Sequence, residues 1–176
     1  MKKEMITIVN GKDEIIGLEE KSKCHSINGI LHRGFLVMVF NDKNQLLLAR
    51  RSQEKKLWPN FWDGSIASHL HENETYEEAT KRRLREELGV ECNTKYLFKF
   101  HYNLTYKNVG SENEICAILF AKCNDNLSVN SEEISDWKFI SIEQLKNDIK
   151  ESDKYTPWLL ITLKKIESEK LWKKLF

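Results

Sequence analysis

The stretch from residue 65 to residue 90 constrains the fold of this chain more than any other part of the sequence. Its second half predicts a helix, because Thr75 and Glu78 have the spacing of a capping box. Its first half predicts a loop that carries two histidines, His69 and His71. A histidine-bearing loop followed by a charged helix is therefore the centre of the predicted structure.

The predicted helix has a buried face and a charged face. Leu84 and Leu88 lie four residues apart, so their side chains share the face that turns toward the core. Arg83 and Glu87 have the same spacing and lie together on an adjacent face. Gly89 supplies the expected stop.

Composition limits the possible function classes. The chain has 176 residues, 40% of them hydrophobic, which predicts one domain over 1–176, with a C-terminal helix at about 156–176 packing on it. The formal net charge is +1, so no strong field favours nucleic acid or a membrane surface. The longest apolar run, residues 35–40, is too short to span a bilayer, and no signal peptide is predicted. We expect a monomer or homodimer without nucleic-acid or membrane partners.

The cysteine pattern gives no indication of a disulfide framework. Cys24, Cys92, Cys116 and Cys123 show no Cys-x-x-Cys spacing. This pattern favours reduced thiols in a cytoplasmic protein.

Short apolar or aromatic runs separated by polar turns predict seven strands. They are Met5–Val9, Ile15–Glu20, Phe35–Phe40, Gln45–Arg50, Tyr96–Tyr102, Glu112–Phe120 and Asp136–Ile140. Residues 124–130 are expected to form a polar connection. Ser141 is the expected N-cap of one helix. A last helix is expected from Trp158 to about Trp172, with Pro157 near its start.

Histidines and glutamates outside the central helix form a second pattern. His25 and His32 lie seven residues apart in one predicted loop, which allows their imidazoles to approach each other. Glu112 and Glu114 lie two residues apart on a predicted strand and face the same side. Such a carboxylate pair repels unless a cation or proton lies between the two groups. Together with His69, these residues favour a metal or acid–base site over solvated side chains.

A basic cluster follows the predicted strand 45–50. In it, Arg51 is suited to bind phosphate oxygens in a fork, and Lys55 is suited to act as a point charge. A solvated loop is the alternative. Trp58 and Trp62, which come next, are expected to pack in the core.

The stretch 65–90 resembles the Nudix box, a loop and helix in which glutamates, an arginine and a glycine recur at fixed spacing. The matching positions are Glu74, Arg82, Leu84, Glu86, Glu87, Gly89 and Val90. Ser68 stands where the pattern has its first glycine, and Arg83 stands where it has a glutamate. These two departures are similar to those of type 1 isopentenyl-diphosphate isomerases, which share the fold. The alternative is an ordinary solvated helix, and so many matched positions disfavour it.

The resemblance to the type 1 isomerases runs from about Lys21 to about Trp158. It implies an α/β (α+β) fold with a mixed β-sheet sandwiched between helices. The family's metal site uses three histidines and two glutamates, which match His25, His32, His69, Glu112 and Glu114. The resemblance therefore implies one divalent ion in roughly octahedral geometry. The implied metal is Mg²⁺ or Mn²⁺, and Zn²⁺ is the alternative because it suits the histidines.

The same resemblance implies a site for a small-molecule diphosphate. The substrate-binding residues would be Lys21, Arg51, Lys55, Arg83 and Ser68. A second divalent ion, held with the diphosphate, would use Glu87. Glu114 matches the proton donor, Tyr102 matches a tyrosine near the reacting carbon, and Trp158 matches a tryptophan that faces the carbocation.

One departure bears directly on catalysis. The family's second acid–base residue is a cysteine, and this chain has Ala67 at that position, which cannot exchange a proton. The sequence does not assign Cys24 or Cys116 to this role. Three explanations stay open: an engineered alanine; a natural variant that uses water, another side chain or the substrate's own diphosphate; or a site adapted to another reaction.

Three functions are compatible with these residues. The first is isomerisation of isopentenyl diphosphate to dimethylallyl diphosphate, impaired or altered by Ala67. The second is a Nudix hydrolase that cleaves a nucleoside or isoprenoid diphosphate with Mg²⁺ on Glu86 and Glu87, which leaves the histidines unexplained. The third is a non-catalytic diphosphate-binding module, which only Ala67 favours. We rank them in this order.

Overall fold

The computed structural model describes residues 3–123, 126–151 and 153–175. The strands of this described part are β1 (Met5–Val9), β2 (Ile15–Glu20), β3 (His32–Phe40), β4 (Leu46–Arg51), β5 (Trp62–Asp63), β6 (Ile66–His69), β7 (Lys95–Tyr106), β8 (Gly110–Lys122) and β9 (Ile134–Ile140). The helices are α1 (Lys21–Cys24), α2 (Tyr76–Arg83), α3 (Ile142–Glu151) and α4 (Pro157–Ser168). A π-helical turn, Leu84–Leu88, continues α2, and a 3₁₀ turn, Leu171–Lys174, follows α4.

Strand β3 organises the sheet. It runs parallel to β8 and antiparallel to β6, and it also contacts β1 and β4. Outside this group, β2 pairs with β1, β7 with β8, and both β5 and β9 with β4. In this register His32 lies opposite Glu114 on β8, and Gly34 lies opposite His69 on β6. The strands that carry His32, His69 and Glu114 are therefore direct neighbours.

Alternation along β3 divides the core between the two faces of the sheet. One face carries Leu36, Met38 and Phe40, which pack in the core cluster that includes α4. The other carries Phe35, Val37 and Val39, which pack in the cluster that includes α2 and its π-helical turn. A mixed sheet between helices is the predicted fold class, and it is confirmed.

The central helix begins as its sequence predicts. The Thr75 hydroxyl accepts a hydrogen bond from the Glu78 backbone N–H at 3.2 Å, and the Glu78 carboxylate accepts one from the Thr75 N–H at 2.8 Å. Leu84 and Leu88 are fully buried. Gly89 ends the helix with a φ of 68°, a left-handed conformation that glycine adopts without strain.

Several strands begin or end a few residues away from the sequence-based expectations, and two further differences have a structural reason. Residues 66–69 form strand β6 and not a loop, because their backbone pairs with β3, a contact that local sequence does not encode. The last helix ends at Ser168 and not at Trp172, because Lys170 adopts a left-handed φ of 55°. Of the polar connection expected at 124–130, residues 124 and 125 lie outside the described residues.

The expectation that all cysteines are reduced was wrong for one pair. Cys92 and Cys123 form a disulfide, with Cα atoms 5.9 Å apart, whereas Cys24 and Cys116 are free and buried. Cys92 follows the central helix and Cys123 follows β8, so tertiary packing joins positions 31 residues apart in sequence. Among the described helices, none is long and apolar enough to cross a membrane.

We expect Thr75→Ala to lower the free energy of unfolding by about 1 kcal/mol, because it removes the acceptor for the Glu78 N–H. Urea denaturation followed by circular dichroism measures this change. Glu72→Ala, at an exposed position just before the helix, is the control and should change stability by less than about 0.5 kcal/mol. Equal stability of the two variants would contradict a stabilising cap.

Candidate active site

Five side chains from four separate parts of the fold meet in the interior. They are His25, His32, His69, Glu112 and Glu114, and one nitrogen or oxygen of each lies within 4.8 Å of the others. All five are buried. His25 follows α1, His32 begins β3, His69 ends β6, and both glutamates lie on β8. The structure therefore brings together every residue that the resemblance assigns to the first metal ion.

Backbone carbonyls orient two of the imidazoles. Nδ1 of His25 lies 2.7 Å from the Lys21 carbonyl oxygen, and Nδ1 of His32 lies 2.7 Å from that of Ile30. A carbonyl only accepts hydrogen bonds, so each Nδ1 carries a proton, and in the neutral ring each Nε2 keeps a free lone pair. Within the described residues these buried Nε2 atoms have no hydrogen-bond partner. His25 Nε2 lies 2.9 Å from a Glu112 oxygen, but not in hydrogen-bond geometry. Lone pairs arranged in this way fit a divalent cation.

The Glu114 carboxylate joins the histidines to Tyr102. Its Oε1 lies 2.8 Å from His69 Nε2 and 3.3 Å from His32 Nε2, and its Oε2 accepts a hydrogen bond from the Tyr102 hydroxyl at 2.5 Å. Burial raises the pKa of Glu114, but the two imidazoles outweigh it and hold that pKa well below its ordinary value. Burial also holds the pKa of His69 well below its usual range. An ionised carboxylate and a neutral imidazole are the protonation states that bind metal ions.

Two glycines make room for the cluster. A Cβ atom on Gly34 would lie 2.3 Å from Glu114 Oε2, and one on Gly110 would lie 2.2 Å from the His25 carbonyl oxygen. Both distances are below van der Waals contact. The absence of a side chain at these positions therefore lets Glu114 and His25 approach the other ligands.

The cluster lines part of a cavity of about 470 Å³. Its apolar and aromatic lining includes Phe35, Leu36, Leu57, Ala67, Tyr102, Cys116 and Trp158. Its charged lining beyond the cluster includes Lys3, Glu4, Glu20, Lys21, Arg51, Lys55 and Lys56. Such a volume and mixture suit a small ligand with an apolar body and an anionic head.

Most of the predicted substrate-binding residues line this cavity. They are Lys21, Arg51, Lys55 and Ser68. Lys21 pairs with Glu4 at 3.0 Å. Arg51 donates through Nε to the Trp58 carbonyl oxygen at 3.0 Å and through Nη2 to that of Leu57 at 2.9 Å. Two backbone acceptors therefore fix the guanidinium before any ligand binds.

Arg83 is absent from the described lining of the cavity. Its guanidinium lies 2.8 Å from Glu86, 2.6 Å from Glu87 and 3.1 Å from Glu133. Glu133 also pairs with Lys55. Although burial raises the pKa of Glu133, these two cations lower it to about 2. The two predicted residues Arg83 and Glu87 thus contact each other, apart from the five-residue cluster.

Trp158 and Tyr102 form one wall of the cavity. Their rings are nearly parallel, with an interplanar angle of 12° and centroids 6.2 Å apart. Ala67 also faces the cavity, and it pairs with Leu36 across β6 and β3. Cys116 lines the same cavity, but burial raises the pKa of its thiol well above the usual value. That thiol is therefore a poor substitute for the missing base.

Sequence reasoning missed two acids near the site. Glu133 follows another glutamate and has the appearance of an exposed loop residue. Asp63 begins an Asp-Gly pair, which is typical of a turn, yet it is buried and accepts a hydrogen bond from the Trp158 indole N–H at 2.9 Å. His71 lies outside the cluster, 3.6 Å from Glu4.

Comparison with known proteins places these features in a family. The NUDIX domain model matches residues 30–159. A relative from Haloarcula marismortui named isopentenyl-diphosphate Delta-isomerase is 34% identical over 172 residues, which covers 94% of this chain and 92% of the relative. A Salmonella paratyphi B relative of the same name is 36% identical over 164 residues, which covers 92% of this chain and 91% of the relative.

Solved structures show the same fold. The crystal structure of DR0079 from Deinococcus radiodurans has a TM-score of 0.75 and 24% identity, and the match covers 92% of this chain and 98% of that one. A MutT protein from Methanosarcina mazei has a TM-score of 0.67 and 16% identity, and the match covers 80% of this chain and 95% of that one. At these identities the structures inform the fold alone.

We expect the cluster to bind one divalent ion per chain, and Gly34→Ala to weaken that binding by about tenfold or more, because the new methyl group displaces Glu114. Elemental analysis and Mn²⁺ titration calorimetry measure stoichiometry and affinity. Gly11→Ala is the matched control, since a Cβ there meets nothing within 4 Å. Unchanged Mn²⁺ affinity in a folded Gly34→Ala protein would contradict a metal site at Glu114.

Proposed function

Since the chain belongs to the NUDIX family and is an isopentenyl-diphosphate-isomerase-like enzyme, we propose that it converts isopentenyl diphosphate into dimethylallyl diphosphate. One observation carries the proposal. The buried cluster of three histidines and two glutamates includes a carboxylate, Glu114, that is also hydrogen-bonded to Tyr102 at the wall of a partly apolar cavity. A site for hydrolysis at the box glutamates would not require this arrangement.

The proposed cofactor is a divalent ion held by His25, His32, His69, Glu112 and Glu114. Mg²⁺ and Mn²⁺ suit the mixed imidazole and carboxylate set, and Zn²⁺ suits its histidines. When bound, the ion would supply positive charge that offsets the buried carboxylates and alters their proton affinity. The unpartnered Nε2 atoms of His25 and His32 support this assignment.

Isomerisation adds a proton to the terminal alkene carbon of the substrate and removes one from the CH₂ group on the other side of the resulting carbocation centre. We assign the first transfer to Glu114 through Oε2, the oxygen that Tyr102 contacts. Because its low pKa leaves this carboxylate ionised in the free protein, Glu114 must take up a proton from solvent before it passes that proton to the alkene. The Tyr102 hydroxyl donates to this oxygen and so fixes its position. Gly34 leaves the space beside it open. Proton addition produces a tertiary carbocation on the substrate.

The wall formed by Trp158 and Tyr102 is suited to that carbocation. The face of an indole ring attracts a cation by about 2 kcal/mol when water is excluded. Trp158 is 2% exposed and Tyr102 is 7% exposed, so both rings are shielded from solvent. We therefore assign stabilisation of the carbocation to Trp158, with Tyr102 holding Glu114.

The diphosphate is proposed to bind Arg51, Lys55, Lys21 and Ser68. The Arg51 guanidinium is already held by backbone carbonyls, so it loses little freedom on binding. Lys21 and Lys55 must exchange their acidic partners for phosphate oxygens. Arg83 and Glu87 remain proposed contacts of the diphosphate and of a second divalent ion. The Arg83–Glu87 ion pair, at 2.6 Å, must separate before these side chains can bind the diphosphate and the second ion.

The second proton transfer lacks the family's cysteine. Ala67 lines the cavity without a group that can accept a proton. The proposed acceptors are the substrate's own diphosphate, an ordered water or Ser68, which is the buried neighbour of Ala67. A slow isomerase is the expected consequence.

Hydrolysis of a diphosphate is the second candidate function. It is favoured by Glu86, which matches the Nudix box, and by Ala67, because hydrolysis needs no base at that position. Against it, Arg83 neutralises both Glu86 and Glu87, at 2.8 Å and 2.6 Å. Those carboxylates are therefore less available to a cation than the five-residue cluster.

We expect Glu114→Gln to lower isopentenyl diphosphate turnover by about 10³-fold or more, because the amide has no acidic proton to give. Deuterium incorporation from heavy water into the dimethylallyl product measures turnover. Glu86→Gln is the matched control, and it should retain turnover within about threefold of the wild type. Loss of activity in Glu86→Gln but not in Glu114→Gln, with release of phosphate, would favour the hydrolase.

We expect Ala67→Cys to raise isomerisation by about tenfold or more, a change of about 1.4 kcal/mol in the barrier. The added thiol would face the cavity and supply the missing proton acceptor. Formation of the acid-labile allylic product measures the rate, with Ala67→Ser as the control for volume. An unchanged rate in Ala67→Cys would show that another group has taken over the role of the base.

A further inference from the structure

Asp63 is a buried carboxylate that receives hydrogen bonds from three chain segments. Its Oδ1 accepts from the Gly64 N–H at 2.7 Å, from the Thr156 hydroxyl at 2.9 Å and from the Trp158 indole N–H at 2.9 Å. Its Oδ2 lies 3.0 Å from the same indole nitrogen and 3.4 Å from Arg51 Nη1. Only donors surround the carboxylate in these contacts, so its ionised form satisfies every one of them.

Two of the residues that contact Asp63 line the cavity. Both Trp158 and Arg51 line the cavity, and the Arg51 Cζ atom lies 5.2 Å from the centroid of the Trp158 ring. Asp63 lies behind both, 3% exposed. One buried acid therefore holds the aromatic wall and the Arg51 guanidinium of the cavity in a single arrangement.

We infer that Asp63 is a positioning residue that couples the diphosphate end of the cavity, at Arg51, to the hydrocarbon end, at Trp158. The roles of those two residues rest on the proposed function. The coupling itself rests on Oδ2, which both residues share. A phosphate that draws Arg51 toward itself weakens the contact between Arg51 and Oδ2. The strength of the hydrogen bond from the Trp158 indole N–H to this oxygen then changes as well.

The carboxylate also acts on the electronic character of the indole. A hydrogen bond from N–H to an ionised oxygen is about twice as strong as one to a neutral acceptor. It leaves more electron density on the ring, whose face attracts cations. Asp63 thus fixes the plane of Trp158 and strengthens its interaction with a positively charged carbon.

Asp63→Asn removes the contact with Arg51 while it keeps the hydrogen bond from the Trp158 indole N–H. The amide oxygen can keep the three donors that now bind Oδ1, whereas the amide NH₂ meets Arg51 and cannot accept from it. Thr156→Val is the matched control, because it removes one donor from the same carboxylate without touching Arg51 or Trp158. Trp158→Phe identifies the Trp158 indole resonance in the proton–nitrogen NMR spectrum by its disappearance.

The first experiment titrates the protein with inorganic pyrophosphate and follows the Trp158 indole N–H resonance. We expect an upfield shift in Asp63→Asn before any addition, and a pyrophosphate-induced shift in the wild type and Thr156→Val that is absent in Asp63→Asn. A resonance that Asp63→Asn leaves unmoved, or a wild-type resonance that ignores saturating pyrophosphate, overturns the inference. If Asp63→Asn does not fold, Arg51→Lys tests the same link, and a retained response at saturation overturns it.

The second experiment is a double-mutant cycle on isopentenyl diphosphate turnover. We expect Asp63→Asn to lower kcat about tenfold in the wild type and less than about twofold in a Trp158→Phe background, because it acts through the indole. A merely structural role would give equal losses in both backgrounds and overturns the inference. Absence of turnover in the wild type would refute the proposed function alone, since the pyrophosphate titration needs no reaction.

Discussion

The parallel pairing of β3 with β8 is the constraint on which the candidate site depends. It places His32 directly opposite Glu114, and the antiparallel pairing of β6 on the other side of β3 brings His69 opposite Gly34. A slip of one residue would turn both β8 glutamates to the opposite face of the sheet. Since β3 packs apolar side chains on both faces, the packing on the two sides of the sheet and the positions of the site residues depend on the same register.

Burying two carboxylates among three imidazoles opposes folding unless a cation or hydrogen bonds compensate. The chain compensates in part, through the Lys21 and Ile30 carbonyls behind two histidines and the Tyr102 hydroxyl at Glu114. Among the described residues, the buried Nε2 atoms of His25 and His32 and one Glu112 oxygen are left without a hydrogen-bond partner. A cation bound there stabilises the folded chain by mass action, so ligand geometry and fold stability are linked at this point.

The sequence predicted features that depend on residues close together in the chain. The capping box at Thr75, the stop at Gly89 and the shared face of the two β8 glutamates follow from local spacing, and the structure shows each of them. The spacing of His25 and His32 and the presence of His69 indicated the remaining ligands, and the resemblance implied the complete set. Strand β6, the Cys92–Cys123 disulfide and the buried acids depend on partners far along the chain. For instance, nothing near Asp63 indicates that Thr156 and Trp158 will cover it.

Residue 67 shows how such a site can change its chemistry without changing its fold. The backbone of β6 is held by pairing with β3 on both sides of Ala67, so its position does not depend on the side chain that it carries. The cavity, the Tyr102–Glu114 contact and the ring of Trp158 are likewise formed by other residues. A thiol at this position would add one proton acceptor and fill space, while the five clustered side chains and the wall of the cavity keep their positions. For the proposed isomerisation, the rate then depends on which group, on the substrate or in the solvent, reaches the proton that a cysteine at this position would take.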